Sequence, residues 1–300
     1  MMNYDLFKKI VTERIKDYLP QSFTFYEVKL QTFYKTNEKM DCMMLVPESS
    51  SGNILCPNIY LNERYEDFKV SQDIDEILEE IAWVIVNYSA VIPDDFDFDL
   101  EGKTDKIIFN IMNTEKNEDF LSTVPHRQIL DFSVMYRVVM QLSRNGMDTI
   151  MLTNQLAESL GLTEEDLFQL AKENTKRLLP MKVLTLGEMM KEEPMSDEAR
   201  DLYLKKCNEP FIVTNESYLQ GAAYLSQPDE LEWISERLND SYYAVPSSVN
   251  EFFVIPRRSA DLDNLRMLLR KDNEETDAKR DILSDNVYYY DKRKKKLEIA

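Results

Sequence analysis

The chain has 300 residues, 43% of them hydrophobic, and a formal net charge of −19 from 55 acidic and 36 basic side chains. A chain of this length forms roughly two domains or one large one, and its apolar content exceeds that of a disordered chain. Six glycines are present, and no two are closer than 15 residues. Phosphate-binding loops and dinucleotide fingerprints, which need two or three glycines within about six residues, are therefore excluded.

Histidine and cysteine usage excludes further classes. The only histidine is His126, whereas zincins, two-histidine fingers and facial-triad iron sites each need more than one imidazole. The cysteines are odd in number and form no CxxC pair, so we expect buried thiols in a reducing cytoplasm. We predict no cofactor and no metal site, and the uncharged stretch at 81–93 is too short to span a bilayer. The cysteines are Cys42, Cys56 and Cys207.

Apolar periodicity divides the first hundred residues into helices and strands. Pro20 ends the first helix. Pro57 places the third strand at the edge of a sheet, because proline donates no ladder hydrogen bond. In chain order, the sequence predicts a helix over 4–18, a hairpin of strands over 23–33 and 40–46, a third strand over 54–61 and a helix over 73–90.

Acidic side chains are concentrated between Val70 and Gly102, a segment that carries ten carboxylates and no lysine or arginine. Five belong to the helix over 73–90, opposite its apolar arc, as on a solvated helix face. The other five lie in a loop with no structural need for them, which makes that loop the candidate partner surface. The spacing of Asp95, Asp97 and Asp99 fits the first three positions of an EF-hand, but Leu100 and Lys106 stand where Gly and Glu are required. The EF-hand is rejected, while a looser Ca²⁺ or Mg²⁺ site stays open. The five loop carboxylates are Asp94, Asp95, Asp97, Asp99 and Glu101.

Beyond residue 102, short helices and strands continue. The clearest is a strand over 129–142, where apolar and polar side chains alternate with a period of two. Residues 191–210 are polar and indicate a linker or an exposed helix. The remaining predictions are strands over 106–112, 149–152, 211–214, 222–225, 242–245, 252–255, 287–290 and 297–299, and helices over 115–121, 154–160, 164–178, 229–238 and 262–270.

The order of these elements predicts the fold class. Regular βα alternation is missing, which favours an α+β fold with mixed, mostly antiparallel sheets and packed helices. We expect an N-terminal α+β region over 1–125 and a C-terminal α+β region over 126–300, with the polar segment near 191–210 inside the second.

Residues 153–170 match a helix-turn-helix template. Ala157 permits close approach of two helices, and Gly161 makes the turn between them. The second helix begins Thr163-Glu-Glu-Asp, and carboxylates placed against phosphates oppose DNA affinity. Thr163 and Asp166 instead form a capping box. We therefore expect a helix-turn-helix-like corner with a structural role.

A polar turn follows the strand over 242–245, in the segment YYAVPSSVNEFFVIP. A strand end suits a nucleophile, and the histidine would serve as its general base, so a serine hydrolase is one alternative. The GxSxG elbow is absent, and a turn stabilised by serine and asparagine side chains explains these residues more simply. The candidate polar-turn residues are His126, Ser247, Ser248, Asn250 and Glu251.

A basic run, Lys292 to Lys296, follows the three tyrosines at 288–290. Cations beside aromatic rings are typical of nucleic-acid surfaces, so nucleic-acid binding is a further alternative. In a chain with a net charge of −19, a solvated hairpin turn that protects a sheet edge is the simpler interpretation.

Six segments follow one another in the order CPNIYLNERYEDF, STVPHRQILDFSVMYRVV, LTEEDLFQLAKENTKRLLP, FIVTNESYLQGAAYLS, YYAVPSSVNEF and ILSDNVYYYDKR. Together they resemble a bacterial family of uncharacterised proteins that is classed only as a domain of unknown function. The resemblance covers nearly the whole chain and implies a cytoplasmic bacterial α+β protein, with no activity or cofactor to transfer. The family's proline–serine–serine turn is expected to carry a histidine where this chain has Asn250, which argues against catalysis by Ser247 and Ser248.

The missing catalytic motifs and the localised charge predict a non-enzymatic, cytoplasmic interaction or regulatory protein that binds a protein partner through an acidic surface. A DNA-mimic role, or a role in conflict between a host and mobile elements, belongs to this hypothesis. The alternatives from other classes are a metal-assisted or serine hydrolase and a protein that binds nucleic acid through its basic C-terminal hairpin.

Overall fold

The chain divides into two compact units, Met1–Phe98 and Asp99–Ala300. The sequence placed the division near residue 125; the structure places it earlier, because the strand that follows residue 106 belongs to a sheet of the second unit. The computed structural model describes residues 2–35, 37–47, 54–91, 101–143, 146–189, 196–206, 208–276 and 279–300.

The first unit contains α1 (Tyr4–Arg14), β1 (Tyr26–Lys35), β2 (Glu38–Pro47), β3 (Ile54–Leu55), β4 (Ile59–Tyr60), α2 (Leu61–Ser71), α3 (Ile74–Tyr88) and β5 (Ala90–Val91), with 3-10 turns at Ile15–Tyr18 and Gln21–Phe23. Strands β1, β2 and β4 form one antiparallel sheet, and β3 pairs with β5. Asp73 caps α3 by accepting hydrogen bonds from the backbone N–H groups of Asp75 and Glu76. The apolar side of α3 is buried in the core beside Phe7 and Val11 of α1.

The second unit contains β6 (Ile107–Asn113), α4 (Glu118–Leu121), β7 (His126–Ile129), β8 (Phe132–Ser143), β9 (Gly146–Met151), α5 (Asn154–Ser159), α6 (Glu164–Leu178), β10 (Met181–Thr185), α7 (Leu186–Met189), α8 (Asp197–Lys206), β11 (Phe211–Asn215), α9 (Pro228–Leu238), β12 (Tyr242–Ser248), β13 (Glu251–Pro256), α10 (Leu262–Glu275), β14 (Tyr288–Asp291) and β15 (Lys296–Ile299). In one sheet, β6, β7 and β9 all pair with β8. A six-stranded antiparallel sheet has the order β10-β11-β13-β12-β14-β15. The two sheets share one core with α5, α6 and α9.

Both faces of the six-stranded sheet are covered. Alternate residues of a strand point to opposite faces, so Phe252 and Val254 of β13 lie in the large core that the two sheets share. Ile255 points the other way and packs with Leu269 of α10. The sheet therefore needs apolar side chains on both sides of its central strands.

The free edge of β6 is closed by side chains. All its side chains are buried, and in the described part of the chain its only strand partner is β8. On the other edge, the backbone N–H of Phe109 donates to Thr175 Oγ1 (3.0 Å) and that of Ile111 donates to Gln220 Oε1 (2.8 Å). These bonds satisfy buried backbone donors and prevent a further strand from pairing there.

The predicted fold class is confirmed, with antiparallel sheets, packed helices and a helix-turn-helix-like corner. At the corner, α5 and α6 are joined through Gly161, whose φ of 66° lies in the left-handed region. The backbone N–H of Leu162 closes the turn by donating to the carbonyl of Ala157 (3.1 Å). None of the described helices combines the length and the apolar character that crossing a membrane requires.

Three predicted strands differ from the structure. The segment 54–61 holds two short edge strands, β3 and β4, and then enters α2, because Pro57 interrupts the ladder. The strand over 129–142 begins only at Phe132, as β8, since Leu130 has a φ of 56° and turns the chain between β7 and β8. The strand over 222–225 is a 3-10 helix, Gly221–Ser226.

Packing explains the last of these differences. A Cβ on Gly221 would lie 2.4 Å from the carbonyl oxygen of Asn250 and 2.7 Å from the Cα of Thr214. Only glycine permits so close an approach of two backbones. A short apolar run does not reveal such an approach, because its pattern fits a buried strand equally well.

Candidate functional site

The exposed side of α3 combines carboxylates with large apolar groups. Helical periodicity places Glu76, Glu79 and Glu80 on the same side as Trp83, with Val86 one turn further on. Trp83 is 58% exposed and Val86 44% exposed. We call these five residues the α3 face. Large apolar side chains that cluster on the surface beside polar groups mark interaction sites more often than isolated ones do.

The carboxylates of α3 are of two kinds. Asp75, beside this face, accepts hydrogen bonds from Tyr18 (2.5 Å) and from Arg14 (2.7 Å), which hold its pKa below the ordinary value. Glu80 pairs with Arg64 (3.3 Å). By contrast, no lysine or arginine of the described chain reaches within 4.0 Å of the carboxylate of Glu76 or Glu79. Two negative charges of the α3 face are therefore left for solvent or a partner.

The predicted acidic loop lies almost wholly outside the described residues. Glu101 opens a 3-10 turn, Glu101–Lys106, and its side chain is outside the described part as well. The loop therefore stays a prediction. The four residues outside are Asp94, Asp95, Asp97 and Asp99.

Helix α6 uses its first-turn carboxylates inside the fold. Arg127 of β7 donates to both oxygens of Glu164 (3.1 and 2.6 Å) and to Glu165 (2.6 Å), and its guanidinium lies 3.9 Å from the ring centroid of Phe168. The hydroxyl of Tyr136 donates to Glu164 as well. Burial and this carboxylate raise the pKa of Tyr136, and Glu164 raises the pKa of Arg127. The start of α6 is thus bonded to the four-stranded sheet.

The capping box predicted at the start of α6 is present. The backbone N–H of Asp166 donates to Thr163 Oγ1 (3.2 Å), and the backbone N–H of Thr163 donates to the Asp166 carboxylate (2.9 Å). This pair satisfies backbone donors that the first turn of a helix otherwise leaves without partners. Cap and ion pair together give the acidic start of α6 a structural role.

The polar-turn residues are divided between two sheets. His126 lies on β7, with Nδ1 3.1 Å from the carbonyl oxygen of Val124. Ser247 and Ser248 lie on β12, in the six-stranded sheet. The described hydrogen bonds join neither serine to the histidine.

Within the turn, the side chains bond to each other and to nearby backbone. Ser248 Oγ accepts from the backbone N–H of Asn250 (3.0 Å), and Asn250 Oδ1 accepts from the backbone N–H of Gln220 (3.0 Å). Burial raises the pKa of Glu251, and a hydrogen bond from Ser247 partly opposes that rise. These residues therefore form a hairpin turn that is hydrogen-bonded to the start of the neighbouring 3-10 helix, Gly221–Ser226.

The basic run forms the turn between β14 and β15. Lys294 and Lys296 both reach Glu298 (3.4 and 3.3 Å), Lys295 pairs with Glu232, and Lys292 donates to Asn239 (2.6 Å). Of the three tyrosines before it, the first and third are buried. Four of the five bases therefore have partners inside the fold, and two of the three rings are covered.

Sequence reasoning missed the apolar part of the α3 face. The signal was present, because Trp83 stands seven residues after Glu76 and four after Glu79, which places it among the acids at 100° per residue. Arg127 was missed for another reason: β7 has only four residues and shows no periodicity of its own.

Fold and surfaces define the class: an α+β protein of two units whose first unit presents an acidic and aromatic helix face. The chain belongs to the Family of unknown function (DUF5688), whose model matches residues 4–292. The resemblance drawn from the sequence is thereby confirmed. Comparison with curated proteins and with solved structures finds no match.

Proposed function

We propose that the chain is a non-enzymatic interaction or regulatory protein that binds a protein partner through the α3 face. The observation that carries this proposal is the exposure of Trp83, 58% of whose surface is accessible on a helix whose other side is buried. Burying a tryptophan against a partner removes a large apolar area from water, and tryptophan is among the residues that dominate interface energetics.

The charges around Trp83 specify the partner's chemistry. Glu76 and Glu79 lie on the same side of α3 and have no lysine or arginine partner among the described residues. A partner with an apolar pocket and a rim of lysine or arginine complements this arrangement. Rim charges chiefly accelerate association and make it sensitive to salt, whereas the buried aromatic ring supplies most of the affinity.

The proposal extends the partner surface expected from the sequence. The α3 face and the loop carboxylates belong to the same segment, which has ten acids and no base. Variants in which the loop carboxylates are neutralised test separately whether the loop strengthens the same association. Those loop positions are Asp94, Asp95, Asp97, Asp99 and Glu101.

We place this activity in a bacterial cytoplasm. Neither Cys42, which is buried, nor Cys56, which is half-buried, forms a disulfide within the described residues. Cysteines that stay in the thiol form are typical of a reducing compartment. The sequence resemblance supports a bacterial source.

The test is quantitative capture from a lysate of the native cell, with the full chain as bait. A triple variant, Glu76→Lys, Glu79→Lys and Trp83→Ala, removes the charge and the ring of the α3 face. We expect a partner that wild type retains to be lost, since truncating a central tryptophan costs about 2 kcal/mol or roughly thirtyfold in affinity. Capture by wild type should also weaken as salt is raised.

A matched control makes the same chemical change elsewhere. Glu158→Lys, Glu173→Lys and Met267→Ala reverse two exposed carboxylates and truncate an exposed apolar side chain in the second unit. This control should retain the partner. Equal loss from both triple variants, or equal retention by both, would contradict the proposal. Melting curves of both variants verify that each is folded.

A further inference from the structure

A large basic cavity lies wholly within the second unit. Its volume is about 760 Å³, within the range of pockets that hold small molecules and cofactors. Side chains from the end of α6, from β10, from α8 and from α9 line it. Four separate elements thus converge on one concave site, which the α3 face does not share.

Among the described residues that line the cavity, cationic side chains outnumber carboxylates. Lys176, Lys182, Arg200 and Arg237 face the cavity, against the carboxylates of Glu216 and Glu230. In a chain with a net charge of −19, such a gathering attracts anions where most of the surface repels them.

Two of these cations are held in place by ion pairs. Burial lowers the pKa of Lys176, but the carboxylates of Glu230 (3.0 Å) and Asp229 (3.5 Å) together more than compensate, and the pKa is raised. Arg200 pairs with Glu188 (2.6 Å) and donates to the carbonyl of Val183 (2.7 Å). These pairs orient both side chains at the cavity wall.

Lys182 differs from them. Its Nζ lies 3.3 Å from the hydroxyl of Tyr218, and across the described residues no carboxylate comes within 4.0 Å of it. The ammonium group therefore has hydrogen-bond donors to offer a ligand. In this it differs from Lys176 and Arg200, whose charges are paired with carboxylates.

An aromatic platform stands beside these charges. The guanidinium of Arg237 lies 3.7 Å from the ring centroid of Trp233, and both side chains face the cavity. A guanidinium stacks on an aromatic ring through its flat face. The N–H donors of the guanidinium lie in its plane, where they bond to phosphate or carboxylate oxygens. A half-buried indole also offers apolar surface to a flat ring.

We propose that this cavity binds a nucleoside phosphate. The phosphates would contact Lys182 and Arg237, and the base would pack against Trp233. Inorganic phosphate alone would leave most of the cavity empty. A nucleotide matches the volume of the cavity, and its phosphates and base match the cationic and the aromatic parts of the lining.

Tryptophan fluorescence provides a local readout. The chain has two tryptophans, so Trp83→Phe leaves Trp233 as the only one. We would titrate this variant with ATP, adenosine and pyrophosphate, and excite at the red edge of the indole band, where adenine does not absorb. Saturable quenching by ATP is expected. Adenosine and pyrophosphate should each bind about tenfold more weakly or worse, because each lacks one half of the recognised ligand.

Variants at Lys182 establish the location. Lys182→Gln should weaken ATP about tenfold by removing a charged donor, while Lys182→Arg should retain binding. Lys172→Gln is the matched control, since Lys172 lies one turn before Lys176, pairs with Asp229 (2.7 Å) and is not among the lining residues. No saturable quenching by ATP, adenosine binding as tightly as ATP, or equal effects of Lys182→Gln and Lys172→Gln would overturn the proposal.

Discussion

Helices α3 and α6 each contain 15 residues, begin at a capped N-terminus and carry acids in their first turns. In α6 these acids are bonded inside the fold, Glu164 and Glu165 to Arg127. In α3, Glu76 and Glu79 have no cationic partner within 4.0 Å among the described residues. The two helices are therefore alike in acid content. What differs is that Glu76 and Glu79, unlike Asp75 and Glu80 of the same helix, receive no cation from the described fold, which is why we propose the α3 face as a partner surface.

The aromatic residue that follows these acids repeats the contrast. In α6, Phe168 lies beneath the guanidinium of Arg127 at 3.9 Å. In α3, the corresponding ring is Trp83, which is 58% exposed. One helix uses acid, arginine and ring to close its own unit. The other presents acid and ring outwards, where a partner's arginine or lysine would complete the same arrangement.

The largest expected effect comes from breaking the arginine cluster at α6. Arg127→Ala removes the cation from Glu164 and Glu165 and uncovers one face of the Phe168 ring. The two carboxylates keep only neutral donors, Tyr136 and Gln169. The free energy of unfolding should fall by about 1–3 kcal/mol, the range for losing charge-assisted hydrogen bonds at a partly buried site. Chemical denaturation measures this loss. For α3, the matched change is Arg14→Ala on α1, which removes the exposed ion pair to Asp75 and should cost much less. An equal cost would contradict the difference between the two helices.

The next effect is that of the α6 cap. Thr163→Ala removes the acceptor for the N–H of Asp166, and we expect a loss of about 1 kcal/mol in the free energy of unfolding. Thr163→Ser keeps a hydroxyl at the same position and should restore most of it. If Thr163→Ala has no effect on the denaturation midpoint, the capping box contributes nothing to the corner.

A third prediction concerns pH. Burial raises the pKa of Glu251 in the folded chain, so ionising this group costs more folded than unfolded. Stability is therefore lost as pH rises above the unfolded pKa of about 4.3. Glu251→Gln should accordingly melt above wild type at about pH 7, with the gap closing at about pH 3.5. Melting temperatures at both pH values measure it, and a gap independent of pH would assign the effect to another cause.

The smallest expected effect is on the α3 face itself. Glu76→Gln with Glu79→Gln removes two charges that have no lysine or arginine partner among the described residues. The melting temperature should therefore stay at or slightly above that of wild type. Glu164→Gln with Glu165→Gln makes the same change in α6 and should lower it. A clear loss from the α3 pair would show that those carboxylates stabilise the fold, which would weaken their assignment to a partner.

Much of the fold could be predicted from local pattern. The limits of α3 follow from its 3.6-residue apolar arc and from Asp73 before it, and the start of α6 follows from Thr163 and Asp166. These signals lie within one element. Apolar periodicity and capping residues therefore predict these helix limits directly, and the two helices are the best-predicted parts of the chain.

What could not be predicted depends on groups far apart in sequence. The turn at Leu130 has no local signal; the carboxylate of Asp131 beside it accepts hydrogen bonds from Ser284 (2.5 Å) and Tyr288 (2.7 Å). The basic cavity likewise gathers side chains from positions 176 to 237. On α3 the carboxylates were identified but Trp83 was overlooked, because a ring among acids does not belong to the apolar arc.

The most direct test of the partner surface is photo-crosslinking in the native cell. A photoreactive amino acid replaces Val86, which is 44% exposed on the α3 face, or Leu268, which is 50% exposed on α10 and serves as the control. We predict a discrete covalent adduct from position 86 that disappears when Glu76→Lys and Glu79→Lys are added, and no such adduct from position 268. No adduct from position 86, or the same adduct from both positions, would contradict the assignment of the α3 face as the partner surface.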